Sequence, residues 1–76
     1  MQRDRFFVDA DGGGKWVLIR QGAARPLRSF RLKQEAVRYG RDLARKRGNS
    51  QLVVKGRNHD IQTEWTYDRD PRRHPG

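Results

Sequence analysis

Seventy-six residues with no cysteine, 33% hydrophobic, 36% charged and carrying a formal charge of +9 describe one small basic domain, near the lower size limit for folding without a staple. Neither disulfides nor a cysteine-ligated zinc can supply that staple, and no apolar run approaches a membrane span or a signal-peptide core, the longest being Trp16-Val17-Leu18-Ile19. The expected compartment is the cytoplasm, and a pI near 11.3 favours acidic partners such as nucleic acid, an anionic surface or an acidic protein face.

Arg5 to Ala10 alternates, with Phe6, Val8 and Ala10 on one face and Phe7 on the other, which predicts a strand. Asp11-Gly12-Gly13-Gly14 follows as a turn, glycine accepting positive φ without steric cost. Lys15 to Gln21 predicts a second strand with Trp16 and Leu18 on one face and Val17 and Ile19 on the other, so the pair forms a hairpin. Gly22 to Pro26 breaks that strand, and Leu27 to Phe30 reads as a short extended approach to a helix. The helix is expected from about Leu32 to Arg47, since Leu32, Ala36, Tyr39 and Leu43 recur at helical spacing. Gly48 stands where a helix usually stops, and Arg45, Lys46 and Arg47 suit the negative end of the helix dipole. Gln51 to Lys55 predicts a third strand with Leu52 and Val54 inward, and Gly56 to His59 a turn. Asp60 to Tyr67 predicts a fourth strand, with Ile61, Thr63, Trp65 and Tyr67 on one side. Residues 68–76 read as a flexible C-terminal tail.

The fold class expected over residues 1–67 is therefore α+β, a four-stranded, largely antiparallel sheet with one helix on one face, in the order β-β-α-β-β. Its core would be Phe6, Val8, Trp16, Leu18, Leu27, Phe30, Ala36, Tyr39, Leu43, Leu52, Val54, Ile61 and Trp65. Phe7, Val17, Ile19 and Val53 would lie on the opposite sheet face, which one helix cannot cover. They are expected to form an exposed apolar patch suited to a homodimer or a protein partner.

Several of these segments also follow a known pattern. Phe6-x-Val8, Trp16-x-Leu18, Phe30 and Glu35-Ala36 are followed by Gln51-Leu52-Val53-Val54-Lys55-Gly56-Arg57, Ile61 and Thr66-Tyr67-Asp68-Arg69-Asp70-Pro71. Over about residues 6 to 71 this resembles a family of short bacterial proteins known as domain of unknown function 2188. The resemblance implies the fold, and it attaches no reaction or cofactor. Three positions depart from the family pattern. Leu32 stands where Thr would complete a Thr-x-x-Glu capping box with Glu35, His59 stands where a turn glycine is usual, and Asp68 replaces the glycine after Tyr67.

The motifs argue against enzyme chemistry. Gly12-Gly13-Gly14-Lys15 lacks the glycine spacing of a phosphate loop, and Trp16 occupies the place of the magnesium-holding Ser or Thr. His59 and His74 are the only histidines, and no cluster has metal-ligand spacing. Ser29 and Ser50 lack the signature of a nucleophile, while Arg69, Arg72 and Arg73 would neutralise Asp68-x-Asp70. No catalytic residue, metal, cofactor or small-molecule substrate is expected.

Positive charge is concentrated between Arg28 and Arg47. Eight basic residues there, Arg28, Arg31, Lys33, Arg38, Arg41, Arg45, Lys46 and Arg47, against Glu35 and Asp42 give 8 − 2 = +6 of the chain's +9. Such a run can be simply a solvated face. Its density and weak compensation point instead to a polyanion, so the expected function is non-enzymatic nucleic-acid binding with little sequence specificity. The expected contacts are Arg28, Arg31, Lys33, Gln34, Arg38, Arg41, Arg45 and Lys46, and DNA and RNA are equally open. The alternative is a protein-interaction or regulatory module using Phe7, Val17, Ile19 and Val53. A membrane role is not expected, because the helix lacks a large apolar face.

Overall fold

In the computed structural model, which describes residues 4–67, five strands and one helix follow the order β1 Asp4–Ala10, β2 Trp16–Arg20, β3 Arg28–Phe30, α1 Lys33–Arg47, β4 Ser50–Lys55 and β5 Ile61–Tyr67. The strands form a single mixed sheet in the spatial order β3-β2-β1-β4-β5. The α+β class and the single helix agree with the sequence reading. The number of strands and their directions do not. The stretch expected as an extended approach is a strand, β3, pairing antiparallel with β2 through Trp16↔Phe30 and Leu18↔Arg28. That extra reversal changes the direction of everything after it. A helix of 15 residues runs about 22 Å back along the sheet, so the strand after it runs the same way as the strand before it. With β3 inserted, β4 enters parallel to β1, from Asp4↔Ser50 to Val8↔Val54, in place of the expected antiparallel neighbour.

The β1–β2 hairpin forms as expected, from Phe6↔Arg20 to Ala10↔Trp16. Gly12 and Gly14 both take φ of 88° in its turn, where a Cβ would be strained. Asp11 organises the turn, its carboxylate accepting from the backbone N–H of Gly13 at 2.7 Å and of Lys15 at 3.1 Å. The Gly13 bond is the main cause holding the Asp11 carboxyl below its ordinary value of 3.8. A lowered carboxyl pKa means that the contribution is present above the unfolded-state value and is lost as pH falls through the folded one. We expect the Gly13 and Lys15 amide resonances to titrate with a midpoint below 3.8, and Asp11→Ala to remove that titration. A midpoint at or above the ordinary value would show that the carboxylate does not hold the turn.

The core lies between α1 and one face of the sheet, formed by Phe6, Val8, Trp16, Leu18, Leu52 and Val54 against Ala36 and Ala44. The expected stripe Leu32, Ala36, Tyr39, Leu43 is rotated. The buried helix positions are Ala36, Gly40 and Ala44, with Val37 and Leu43 packed beside them. Small residues allow the helix backbone close to the sheet. A Cβ on Gly40 would stand 3.0 Å from a Leu52 methyl and 3.1 Å from a Leu18 methyl. Tyr39 and Leu32 consequently turn outward, and Leu27, also expected in the core, is half exposed.

Ile61 leaves the core for another reason. β4 and β5 pair from Ser50↔Tyr67 to Val54↔Thr63, then shift by one residue to Lys55↔Ile61. A shift of one residue moves a side chain to the other face, and Ile61 is 56% exposed. Trp65 and Tyr67 stay against the core.

Both ends of α1 follow from the sequence. Leu32 is the N-cap, extended and without a side-chain capping bond, as the missing Thr implies. At the other end Gly48 adopts φ of 67°, and its N–H donates to the Ala44 carbonyl at 3.1 Å. The hydroxyl of fully buried Ser50 donates to the same carbonyl at 2.5 Å, giving that oxygen a second donor at the helix end and satisfying the buried hydroxyl. His59 does take the place of a turn glycine, at φ of 69°. The expected tail, residues 68–76, lies outside the described residues, as do Asp68 and the other positions of the last family motif beyond Tyr67.

Candidate nucleic-acid interface

Docking through Ala36, Gly40 and Ala44 decides where the helix cations go. At 100° per residue, Gln34, Arg38 and Arg45 point away from the sheet, alongside Glu35 and Asp42, while Lys33 and Arg47 flank the buried stripe. The Lys33 ammonium lies 5.3 Å from the Trp16 ring centroid and donates to the Gln62 side-chain oxygen. Arg47 sits 6.0 Å from the Phe6 ring and pairs with Asp4 at 3.2 Å. Arg41 lies 4.5 Å over Trp65, and its Nε donates to the Tyr67 hydroxyl at 3.1 Å. These cations rest on aromatic faces, where charge and stem both contribute to packing. Sequence reasoning, which counted them as charges alone, missed this use.

Arg45 and Lys46 converge on Asp42 at 2.9 and 3.5 Å. The Arg45 hydrogen bond, followed by the charge of Lys46, lowers the Asp42 carboxyl below its ordinary value. Arg28, Arg31 and Arg38, like Lys33 and Arg41, have no ion-pair partner among the described residues, and unlike those two they make no side-chain hydrogen bond there. The guanidinium of Arg28 lies 5.0 Å from the Tyr39 ring and 5.9 Å from that of Phe30. Those two rings are 5.6 Å apart and tilted by 49°.

A single open concavity connects these groups. It runs from β3 over the outward side of α1 and is lined by Arg28, Arg31, Lys33, Gln34, Arg38, Arg41 and Arg45, with Glu35 and Asp42 as its acidic members. Seven of the eight residues expected from sequence therefore share one surface, and Lys46 lies outside it. Tyr39, expected in the core, and Leu32, expected on the apolar stripe of the helix, line this surface too, at 41% and 52% exposure. Taking the small residues Ala36, Gly40 and Ala44 as the centre of the buried stripe would have placed both outside.

The opposite sheet face is less open than expected. Phe7 pairs with Ile19 and registers with Val53, while Val17 lies opposite Asp9, so the four share that face. Val17 and Val53 are nevertheless buried, at 7% and 0% exposure, which removes half of the exposed patch. Phe7 and Ile19 are partly buried. Arg5 and Lys55 place their charges 5.4 and 5.2 Å from the Phe7 ring, covering apolar surface with their stems. Gln51 accepts from Arg5 at 3.0 Å and donates to Glu64 at 2.9 Å, so polar bonds cross the same face.

Elsewhere, His59 Nδ1 stands 2.7 Å from Asp9 Oδ1 while its side chain stays exposed. Among the described residues no group of three or more His, Asp or Glu side chains is placed to hold a metal ion, and no helix is long and apolar enough to cross a membrane.

Residues 6–67 match the model of a bacterial family, DUF2188, described as an uncharacterized protein conserved in bacteria. The chain belongs to that family. No curated protein and no solved structure matched it.

Proposed function

We propose that this member of an uncharacterised bacterial family is a non-enzymatic cytoplasmic protein that binds nucleic acid through phosphate contacts from β3 and the outward side of α1. The observation that carries the reading is the set of three cations, Arg28, Arg31 and Arg38, which share one open surface and, among the described residues, have neither an acidic partner nor a side-chain hydrogen bond of the kind Lys33 and Arg41 make. A cation already paired gives up a partner when it meets phosphate, whereas these three have none to give up among the described residues. Arg45 contributes less on this reading, since Asp42 competes for it. Arg41 and Lys33 are tied down by side-chain hydrogen bonds to Tyr67 and Gln62 in addition to their aromatic contacts. Phosphate contacts orient a protein without reading bases, so sequence preference is weak.

The test is an anisotropy titration across salt, using labelled single-stranded and duplex oligonucleotides. With about three to four phosphates neutralised, affinity should fall roughly 20- to 150-fold between about 50 and 200 mM salt. Arg31→Glu combined with Arg38→Glu should remove most binding while the circular dichroism spectrum stays that of the wild type, because both side chains are exposed. If the folded double variant binds like the wild type, or the wild type binds neither polymer at low salt, these cations are only a solvated face.

A further inference from the structure

Phosphate contact leaves part of the same surface unexplained. Tyr39 and Leu32 are large apolar side chains, 41% and 52% exposed, and they line the cationic concavity beside Phe30, Arg28, Arg31 and Arg38. A surface built only to meet a duplex backbone gains nothing from them, since a double helix presents phosphates and base edges and keeps its base faces stacked inside. A single strand does offer base faces, which stack on aromatic rings and on guanidinium planes. Arg28 supplies such a plane beside Tyr39, 5.0 Å from the ring centroid. Phe30 lies beside both, 5.9 Å from the Arg28 guanidinium and in a tilted contact with Tyr39 at 5.6 Å.

We infer that the occupant of this surface is a single-stranded nucleic acid, with a base stacked on the Arg28–Tyr39 layer and its flanking phosphates on Arg31 and Arg38. The inference rests on the proposed nucleic-acid reading and narrows it to single strands. Charge favours this occupant, since among the described residues the acidic side chains lining the concavity are Glu35 and Asp42, and Arg45 and Lys46 already engage Asp42. Leu32 provides an apolar contact for a sugar or a second base. RNA and DNA strands share the chemistry.

The experiment compares a labelled twelve-nucleotide oligo-dT, an oligo-U of the same length, a mixed-sequence duplex and poly-glutamate, each titrated into the full chain at one low salt concentration. At least one of the two single strands should bind about tenfold or more tighter than the duplex, and poly-glutamate should bind weakest. Tyr39→Ala should lower single-strand affinity about 5- to 100-fold, the range for loss of one stacked base, and move the single-strand to duplex ratio toward one. Tyr39→Phe should keep the preference, because the ring and not the hydroxyl is used. In the unaltered protein, the Tyr39 ring protons should move upfield on adding the single strand, a readout independent of how the alanine variant folds. Equal affinity for strand and duplex, or an unmoved Tyr39 ring at saturation, overturns the inference while leaving phosphate binding in place. Tighter binding of poly-glutamate assigns the surface to an acidic protein, and binding of none of the four removes both readings.

Discussion

Gly40→Val should lower the thermal midpoint of the domain by roughly 10–25 °C. Gly40 lies in the middle of α1 and carries no positive φ, so backbone freedom does not explain it. Space does. The first carbon of any side chain there would come within 3.0 Å of a Leu52 methyl, 3.1 Å of a Leu18 methyl and 3.3 Å of the second Leu52 methyl. Leu18 and Leu52 are fully buried, so both must shift within the core to make room. Valine adds two further methyl groups beyond that carbon, and overpacking of this kind costs typically about 1–3 kcal/mol. The expected value is about 3 kcal/mol, because two closed side chains must move together. Relief of the glycine helix penalty returns at most about 1 kcal/mol. A scanning calorimetry endotherm within a few degrees of the wild type would show that α1 can lift away from the sheet at little cost.

Leu52→Ala should be at least as damaging, at about 2–5 kcal/mol. Leu52 is central in every direction, paired with Phe6 on β1 and Trp65 on β5 and facing Gly40 across the layer. The removed methyls leave a hole that β1, β4 and α1 cannot close without breaking strand pairing. Domains are stable by only about 0.05–0.15 kcal/mol per residue, so this one change consumes a large part of the margin. The two sites should also couple. Adding Gly40→Ala to Leu52→Ala places a methyl where two of the three close contacts have gone, and should recover about 1 kcal/mol through helix propensity alone. The same alanine in the wild-type background meets both leucines and should recover less. Urea denaturation of the four proteins measures the difference, and a coupling below about 0.5 kcal/mol would mean that the side chains are not in rigid contact.

Much of this arrangement was legible, and the failures have identifiable causes. The hairpin, the helix with its weak start and glycine stop, and the strands from Ser50 to Tyr67 all carry period or turn signals. β3 carries neither, because three residues with one apolar side chain, Arg28-Ser29-Phe30, are too short for any period to appear. Missing it also reversed the expected direction of β4. The helix face was misjudged because Leu32 and Tyr39 outweigh Ala36, Gly40 and Ala44 in hydrophobicity, while close approach favours the smallest residues. Ile61 was misplaced by a register shift that no alternation reveals. At the site, sequence grouped the cations correctly on one stretch, but it could not separate those resting on Trp16, Trp65 and Phe6 from Arg28, Arg31 and Arg38. That separation depends on contacts between distant segments.

The parallel pairing of β1 with β4 constrains the order in which the molecule can assemble. Arg5 bonds to Gln51 across 46 residues, so the middle of the sheet is its most non-local part. A chain emerging from the ribosome can close β1 on β2 and add β3 while still short. The second edge of β1, with Phe6 and Val8, remains bare until residues 50–54 arrive. β5 pairs only with β4, so the C-terminal strand cannot dock ahead of it. Closing so long a loop is the slow step that non-local contacts impose. Until it closes, the nascent chain presents an open, apolar strand edge, the feature through which incomplete chains join one another. The edge of β1 therefore stays open for as long as the chain that separates it from β4 takes to be made.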